Sequence, residues 1–232
     1  MTPTLSIVIP CLNEAGGIAT ALKRLQPMRE RGAEIIVADG GSTDGSPAVA
    51  APFADRVVTS PRGRAFQMNA GAAVVRAEVL LFLHADCELP ASADHLIRDG
   101  LAGSGKTWGR FDVRLDGAHP LLRVVAAMMN LRSRVTGIAT GDQGLFMRRA
   151  VFTQVQGFPE IPLMEDIAMS RRLKMHGPPL CLRQTLISSA RRWEQHGVLR
   201  TIVLMWRLRL AYFLGADPAR LALQYDTVRA RH

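Results

Sequence analysis

Leu80-Leu81-Phe82-Leu83-His84-Ala85-Asp86 is the stretch on which the reading of this chain turns. Its apolar residues do not alternate with polar ones, which describes a strand buried on both faces, as in a parallel sheet. The run ends on a lone carboxylate. The carboxyl ends of such strands are where open α/β sheets present groups to a metal or a phosphate. About eighty residues further on, Met164-Glu165-Asp166-Ile167 sets a pair of acids between apolar residues. An acid brought to the same edge from later in the chain can serve as a general base. Together the two stretches point to metal-assisted group transfer.

Working outward, Leu5 to Ile9 is another short apolar run, ended by Pro10. Ile18 to Arg31 reads as a helix stopped by Gly32, and Glu34 to Ala38 as a strand. Asp39-Gly40-Gly41-Ser42-Thr43-Asp44-Gly45 follows, dense in turn residues. Val57 to Thr59 is a short strand, and Ala65 to Val75 a helix that leads into Val79 to Leu83. This β-α-β-α-β order predicts an α/β fold, Rossmann-like, with a mostly parallel central sheet flanked by helices and right-handed crossovers. After about residue 105 the rhythm changes. Trp108 to Leu115 alternates, which suits a half-buried antiparallel strand. Helices are expected over Leu121 to Arg134, Arg149 to Val155, Glu165 to His176, Val198 to Leu214 and Pro218 to Arg229, with a short strand at Gly144 to Met147.

The 232 residues suit one large domain or one domain with an appendage. The net charge is +9, and six of those charges fall after residue 180, where nine Arg and no Lys face three acids. Such an excess attracts polyanions, nucleotides or anionic membranes. No nucleic-acid-binding module and no cluster of aromatic residues accompanies it, so a nucleic-acid partner is not expected. The Arg-rich segment reads either as a solvated helical face or as a surface for phosphates and anionic head groups. Cys11, Cys87 and Cys181 lack the spacing of a zinc site, and free thiols in a reducing cytosol account for them. The start of the chain has no basic region before its first apolar run, which speaks against a signal peptide. Arg200, Arg207 and Arg209 interrupt the apolar stretch from Val198 to Leu214, so it suits a membrane surface better than a membrane span. The expected location is cytoplasmic, with peripheral contact at the inner face of the membrane allowed.

Four polar clusters stand directly after four successive strands: Pro10-Cys11-Leu12-Asn13-Glu14, Asp39, Arg62-Gly63-Arg64 and Asp86. One such Asp would be a turn former or helix cap. Four in register converge on one edge of the sheet. At this point the chain resembles the family 2 glycosyltransferases of the GT-A fold, from about residue 4 to residue 193. The resemblance rests on Ser6-Ile7-Val8-Ile9-Pro10 with Asn13-Glu14, on Asp39 to Gly45, on His84-Ala85-Asp86 and on Glu165-Asp166. With Arg62-Gly63-Arg64-Ala65, Gln67, Asn69 and Gly71, it is most similar to a small bacterial branch associated with arsenosugar biosynthesis. The resemblance makes residues 1–193 the glycosyltransferase domain and 194–232 a C-terminal helical extension packed on or beside it.

The resemblance implies roles, residue by residue. Pro10, Asn13, Glu14, Asp39, Ser42 and Ala85 would form the nucleotide pocket, with Asp39 accepting a hydrogen bond from the base. Ser42 and Asp44 would hold that loop. Arg62 and Arg64 would face the base or the diphosphate, for which the planar guanidinium fork is suited. Asp86 would ligate Mg²⁺ or Mn²⁺ bridging the two phosphates. The family pattern there is Asp-x-Asp, and this chain has His84 in the first place, with Glu88 as a candidate helper. Asp166 would be the general base, with Glu165 orienting or binding the acceptor. Direct attack with one base implies inversion at the anomeric carbon. Gly141, Asp142 and Gln143 would shape the acceptor side. Ser189-Ala190-Arg191-Arg192-Trp193 resembles the Gln-x-x-Arg-Trp signature of processive synthases with Ser189 in place of Gln. Arg192 would touch the diphosphate and Trp193 stack on a sugar. Trp108, Trp193, Trp206 and the helix around Met129 read as core or as an acceptor pocket.

The expectation is therefore a metal-dependent, inverting transferase that uses a nucleotide diphospho-sugar, UDP favoured and GDP open. Its acceptor would be small and hydroxylated or lipid-linked, and a homodimer is compatible. A non-catalytic nucleotide-sugar binding protein on the same fold is the alternative. A sugar-phosphate nucleotidyltransferase is disfavoured because no glycine or base follows the first strand until Gly16.

Overall fold

Three strands near the N-terminus are buried almost end to end, and the rest of the molecule is arranged around them. The computed structural model describes residues 2–230, without the side chains of Arg192, His196 and residues 226–230. In order, the chain forms β1 (Leu5–Cys11), α1 (Ile18–Glu30), β2 (Ala33–Asp39), α2 (Ser46–Ala50), β3 (Arg56–Thr59), α3 (Arg64–Ala73) and β4 (Val79–Phe82). Next come β5 (Cys87–Glu88), α4 (Ala93–Ser104), β6 (Trp108–Asp116), α5 (Leu121–Thr136), β7 (Leu145–Arg148) and α6 (Arg149–Gln154). The remainder is α7 (Glu165–Leu173), β8 (Leu180–Ser189), α8 (Arg191–His196), α9 (Val198–Phe213) and α10 (Pro218–Ala230). Among the described residues no helix is long and apolar enough to cross a membrane.

All the strands join one sheet in the order β3-β2-β1-β4-β7-β6-β8-β5. The first four of that order are parallel, as the β-α-β-α-β reading expects. β7 then runs antiparallel to both β4 and β6. β6 departs from its sequence reading in two ways. It is antiparallel to β7 only at Trp108 and Gly109, and parallel to β8 along the rest of its length. Its first half is buried on both faces, and only its second half alternates.

The lack of alternation in β1, β2 and β4 follows from two cores. Ile7, Ile9, Ile35, Val37 and Leu81 point to one side, where α1 brings Ile18, Leu22 and Leu25 at helical spacing. Val8, Ile36, Leu80 and Phe82 point to the other, where α3 brings Ala65, Met68 and Ala72. A smaller cluster of Ile138, Met164, Ile167, Leu208 and Leu221 ties α9 and α10 to the start of α7. One polar cluster in the parallel half of the sheet has its partners close by. Ser6 Oγ donates to Glu34 at 2.5 Å, and Arg76 Nε reaches the other Glu34 oxygen at 2.8 Å. Burial pushes the Glu34 carboxyl up, but these donors outweigh it and hold it below its ordinary value.

Helix α3 lies unusually close to the sheet. A Cβ on Gly71 would come 2.4 Å from Val8 Cγ1, so only glycine permits the approach. That approach fixes where the N-terminus of α3, and Arg64 on it, meets the strand ends. Gly71→Ala is expected to lower unfolding stability by about 1–3 kcal/mol, the range for overpacking a filled core. Chemical denaturation checks this, and an unchanged midpoint would show that α3 can move off β1 freely.

Candidate active site

Two loops at the carboxyl edge of the sheet are joined by reciprocal bonds. The loop after β1 receives Ser42 Oγ on Asn13 N–H at 2.9 Å, Ser46 Oγ on Glu14 N–H at 2.7 Å and Asp44 Oδ2 on Ala15 N–H at 2.9 Å. In return Asn13 Oδ1 accepts from Thr43 N–H at 2.9 Å. Asn13 adopts φ +55°, which Asn tolerates better than other non-glycine residues. Asp39 closes the second loop, its Oδ2 accepting from Gly41 and Ser42 N–H, both at 3.0 Å. Its other oxygen, Oδ1, is buried and has no hydrogen-bond partner among the described residues. A buried carboxylate oxygen without a donor is costly, and a ligand N–H would relieve it.

Beside these loops lies a cavity of about 280 Å³. Pro10 and Glu14 from the β1 end, Arg62 and Arg64 from the start of α3, His84, Ala85 and Asp86 after β4, and Glu165 at the start of α7 all line it. Sequence reasoning did not anticipate Pro162, Leu163, Ala222 and Tyr225, which complete the wall. Tyr225 and Ala222 come from α10, so the C-terminal helices take part in this cavity. The lining is unlike in charge: two guanidinium groups face three carboxylates.

Glu165 and Asp166 begin α7 directly after Met164, a buried residue with φ +70°. Strain of this kind persists only where packing over-determines it. Its effect here is to turn two successive acids onto a helix N-terminus, where the helix dipole favours negative charge. Asp166 is fixed from two sides. Oδ1 accepts from Ile167 N–H at 2.7 Å, and Oδ2 from Gly141 N–H at 3.0 Å. Glu165 is buried, and burial, with repulsion from Asp166, pushes its carboxyl above the ordinary value against the pull of Arg64 and His84.

His84 Nδ1 lies 3.4 Å from Asp142 Oδ1. Its ring packs so tightly on Gly141 that a Cβ there would sit 2.4 Å from Nε2. The ligand atoms of His84, Asp86 and Cys87 fall within 4.8 Å of one another. An imidazole nitrogen and a carboxylate suit a Mn²⁺- or Mg²⁺-type cation. Cys87 does not fit that set, because burial raises its thiol well above its ordinary value. Glu88 is not part of it either: its carboxylate is taken by Arg24 at 2.9 Å.

On the far side of Asp86, a smaller cavity of about 60 Å³ is bordered by Asp142, Ser188, Ser189, Trp193, Arg209 and Tyr225. Gln143 does not reach it. That side chain is fully buried, bonding to Ser133 Oγ at 3.2 Å and Asn130 Oδ1 at 3.3 Å, and so holds the turn that carries Asp142. Trp108 belongs to the core, whereas Trp193, Trp206 and Met129 line a groove between α5 and α9. The side chain of Arg192 lies outside the described residues.

Comparison with known proteins bears on the family and the fold. The family model described as Glycosyl transferase family 2 matches residues 6–149. The succinoglycan biosynthesis protein ExoA of Rhizobium meliloti (strain 1021) is 40% identical over 103 residues, 42% of this chain and 28% of that protein. Among solved structures, S. aureus TarS 1-349 in complex with UDP superposes with a TM-score of 0.66 at 15% identity, over 80% of this chain and 60% of that one. Mannosyltransferase PcManGT from Pyrobaculum calidifontis, in complex with GDP-Man and Mn²⁺, gives 0.62 at 19% identity, over 97% and 69%. Glucosyl-3-phosphoglycerate synthase from Mycobacterium tuberculosis, with Mn²⁺, UDP and phosphoglyceric acid, gives 0.59 at 20% identity, over 80% and 69%. At these identities the superpositions establish the fold, a GT-A type α/β sheet. The chain spans less than two thirds of the length of ExoA and of TarS 1-349.

The bonds between the two loops make a local prediction. Asn13→Gly removes the acceptor for Thr43 but keeps φ +55° without strain, and should lower stability by about 1 kcal/mol. Asn13→Ala loses the same bond and adds left-handed strain of about 1 kcal/mol, so it should be the less stable of the two. Equal stabilities in thermal unfolding would mean that the backbone at residue 13 relaxes.

Proposed function

The chain belongs to glycosyl transferase family 2, and from that premise we propose that it transfers a sugar from a nucleotide diphospho-sugar to an acceptor hydroxyl with inversion. One observation carries the reading. A single cavity at the sheet edge brings together Arg62, Arg64, Asp86 and Glu165, which come from three separate parts of the chain. In this reading Asp39 Oδ1, unpartnered and buried, accepts an N–H from the base. Arg62 and Arg64 bind the diphosphate. His84 and Asp86 hold a divalent cation, which when bound offsets the charge of the departing nucleoside diphosphate. UDP is the favoured carrier and GDP the alternative. TarS is described with UDP and PcManGT with GDP-Man, so both carriers occur on this fold.

Asp166 is the proposed base. Its oxygens are oriented by Ile167 and Gly141, and Gly141 lies on the acceptor side of the cavity. Asp166 takes the proton of the acceptor hydroxyl as that oxygen attacks the anomeric carbon. The bond from that carbon to the diphosphate oxygen breaks on the opposite face, and the nucleoside diphosphate leaves with the electron pair. Attack opposite the leaving group inverts the configuration. Glu165, with its raised carboxyl, faces the donor cavity and positions Arg64. Residues 1–193 form the transferase domain in this account. Residues 194–232 are an extension that supplies Tyr225 to the donor wall and Arg209 to the acceptor wall.

Asp166→Asn keeps the size of the side chain and an acceptor for one of its two backbone N–H partners, but removes its basicity. It should retain donor-nucleotide affinity within about threefold while turnover falls about 10²–10⁴-fold, the usual contribution of general base catalysis. Retained turnover would refute Asp166 as the base. Loss of nucleotide binding would place it in the donor site instead.

A further inference from the structure

The surface formed by α5 and α9 is apolar where a soluble face would be polar. On α5, Val124, Met128, Leu131 and Val135 are each at least half exposed at spacings of four, three and four. α9 repeats the pattern from Leu199 to Phe213. These two stripes flank a groove of about 300 Å³ whose lining is apolar except for Arg132 and Arg209. Helical stripes of this kind normally face a core. Here they have no covering element among the described residues.

The two arginines are the unusual part. Nε and Nη2 of Arg132 and Nε of Arg209 are buried without a hydrogen-bond partner among the described residues. Burial, and secondarily the charge of Arg209, brings Arg132 down to about 10. The charges of Asp166 and Asp142 attract both guanidinium groups. Two half-buried cations with buried N–H donors that lack acceptors cost free energy that an anion between them would recover.

The groove also leads somewhere. Arg209, with Met129, Trp193 and Met205, borders both the groove and the small cavity beside Asp142 and Ser188. That cavity in turn shares Asp86 and Tyr225 with the donor cavity. Three adjoining cavities therefore extend from the donor cavity through a smaller one of mixed lining to the apolar groove, with Arg209 bordering the last two and Arg132 lining the groove. A partner helix or a second copy laid on the stripes would leave that chamber and its arginines unanswered. A molecule with a hydroxylated end, an anion and a hydrocarbon chain, in that order, fills all three parts.

We propose that the α5–α9 groove binds the acceptor, a lipid whose phosphate-type anion sits on Arg132 and Arg209, whose chain lies along the two stripes and whose hydroxylated end enters the chamber beside Asp142. This rests on the transferase reading above and names its acceptor class. The test uses the full chain and dodecyl phosphate as the probe, followed through the fluorescence of Trp193 and Trp206. Dodecyl phosphate should bind at least tenfold more tightly than dodecyl maltoside, which has the same chain and no charge, and than inorganic phosphate. Arg132→Gln and Arg209→Gln should each remove most of that tenfold preference. Met128→Asp, at a half-exposed position that tolerates a polar group, should weaken dodecyl phosphate binding at least fivefold through charge repulsion and lost apolar contact. UDP or GDP affinity should be unchanged in all three variants. Equal binding of the maltoside would overturn the anion site, and equal binding of inorganic phosphate would overturn the amphiphile. A dimer in light scattering that dodecyl phosphate does not dissociate would assign the stripes to a second copy and overturn the proposal. Failure of every nucleotide to bind, with arginine-dependent dodecyl phosphate binding intact, would remove the transferase reading and leave the groove as a lipid-anion site.

Discussion

Burial of β1, β2 and β4 on both faces is the constraint on which everything else rests. A strand covered on two sides can carry no charge along its length unless, as with Glu34, hydrogen-bond and ion-pair partners such as Ser6 and Arg76 reach it. Polar chemistry is therefore pushed to the strand ends. Since these strands are parallel, their carboxyl ends coincide, and Pro10, Asp39 and the residues after Phe82 arrive at one edge. The cavity there is a consequence of the sheet, and helix α3, held close to β1 at Gly71, brings Arg64 to it. The second acid pair is added from outside the parallel half, on a helix whose first turn is fixed by the left-handed Met164.

This explains which parts were legible in the sequence. The doubly buried strands announce themselves as apolar runs, broken only at Ser6 and Glu34, and the residues proposed for the donor side follow them directly in the chain. Strand β8 was not legible. Its middle, Arg183-Gln184-Thr185, is polar and lies beside a register shift opposite Phe111 and Asp112, so neither alternation nor an apolar run marks it. Helix α4 was hidden by its glycines. Gly100 weakens any helical reading, yet it packs closely on β8, where a Cβ would lie 2.7 Å from Leu180 Cδ2. In both cases tertiary packing, invisible locally, overrides the local signal.

The proposed acceptor side was legible only in fragments. Arg209 shows in the sequence as a charge interrupting an apolar stretch, and Arg132 as one polar residue on a Met-rich helix. Each alone reads as a solvated face. Their meaning depends on α5 and α9 lying side by side, which a distance of some seventy residues along the chain conceals. The replacement of the first Asp of the expected pair by His84 is likewise readable, but its consequence is not. The structure gives that imidazole a defined place, against Gly141 and 3.4 Å from Asp142, which joins the cavity lined by Asp86 to the smaller one beside Asp142.

The central claim is that the edge of the sheet is a nucleotide site in which Asp86 meets the diphosphate through a divalent cation. Calorimetric titration of UDP and of GDP, each with and without Mn²⁺, into the wild-type chain and into Asp86→Ala tests it most directly. The account predicts that one nucleotide binds at least tenfold more tightly with Mn²⁺ and that this gain disappears in Asp86→Ala. Binding that is indifferent to Mn²⁺, or a gain that survives the substitution, would contradict it.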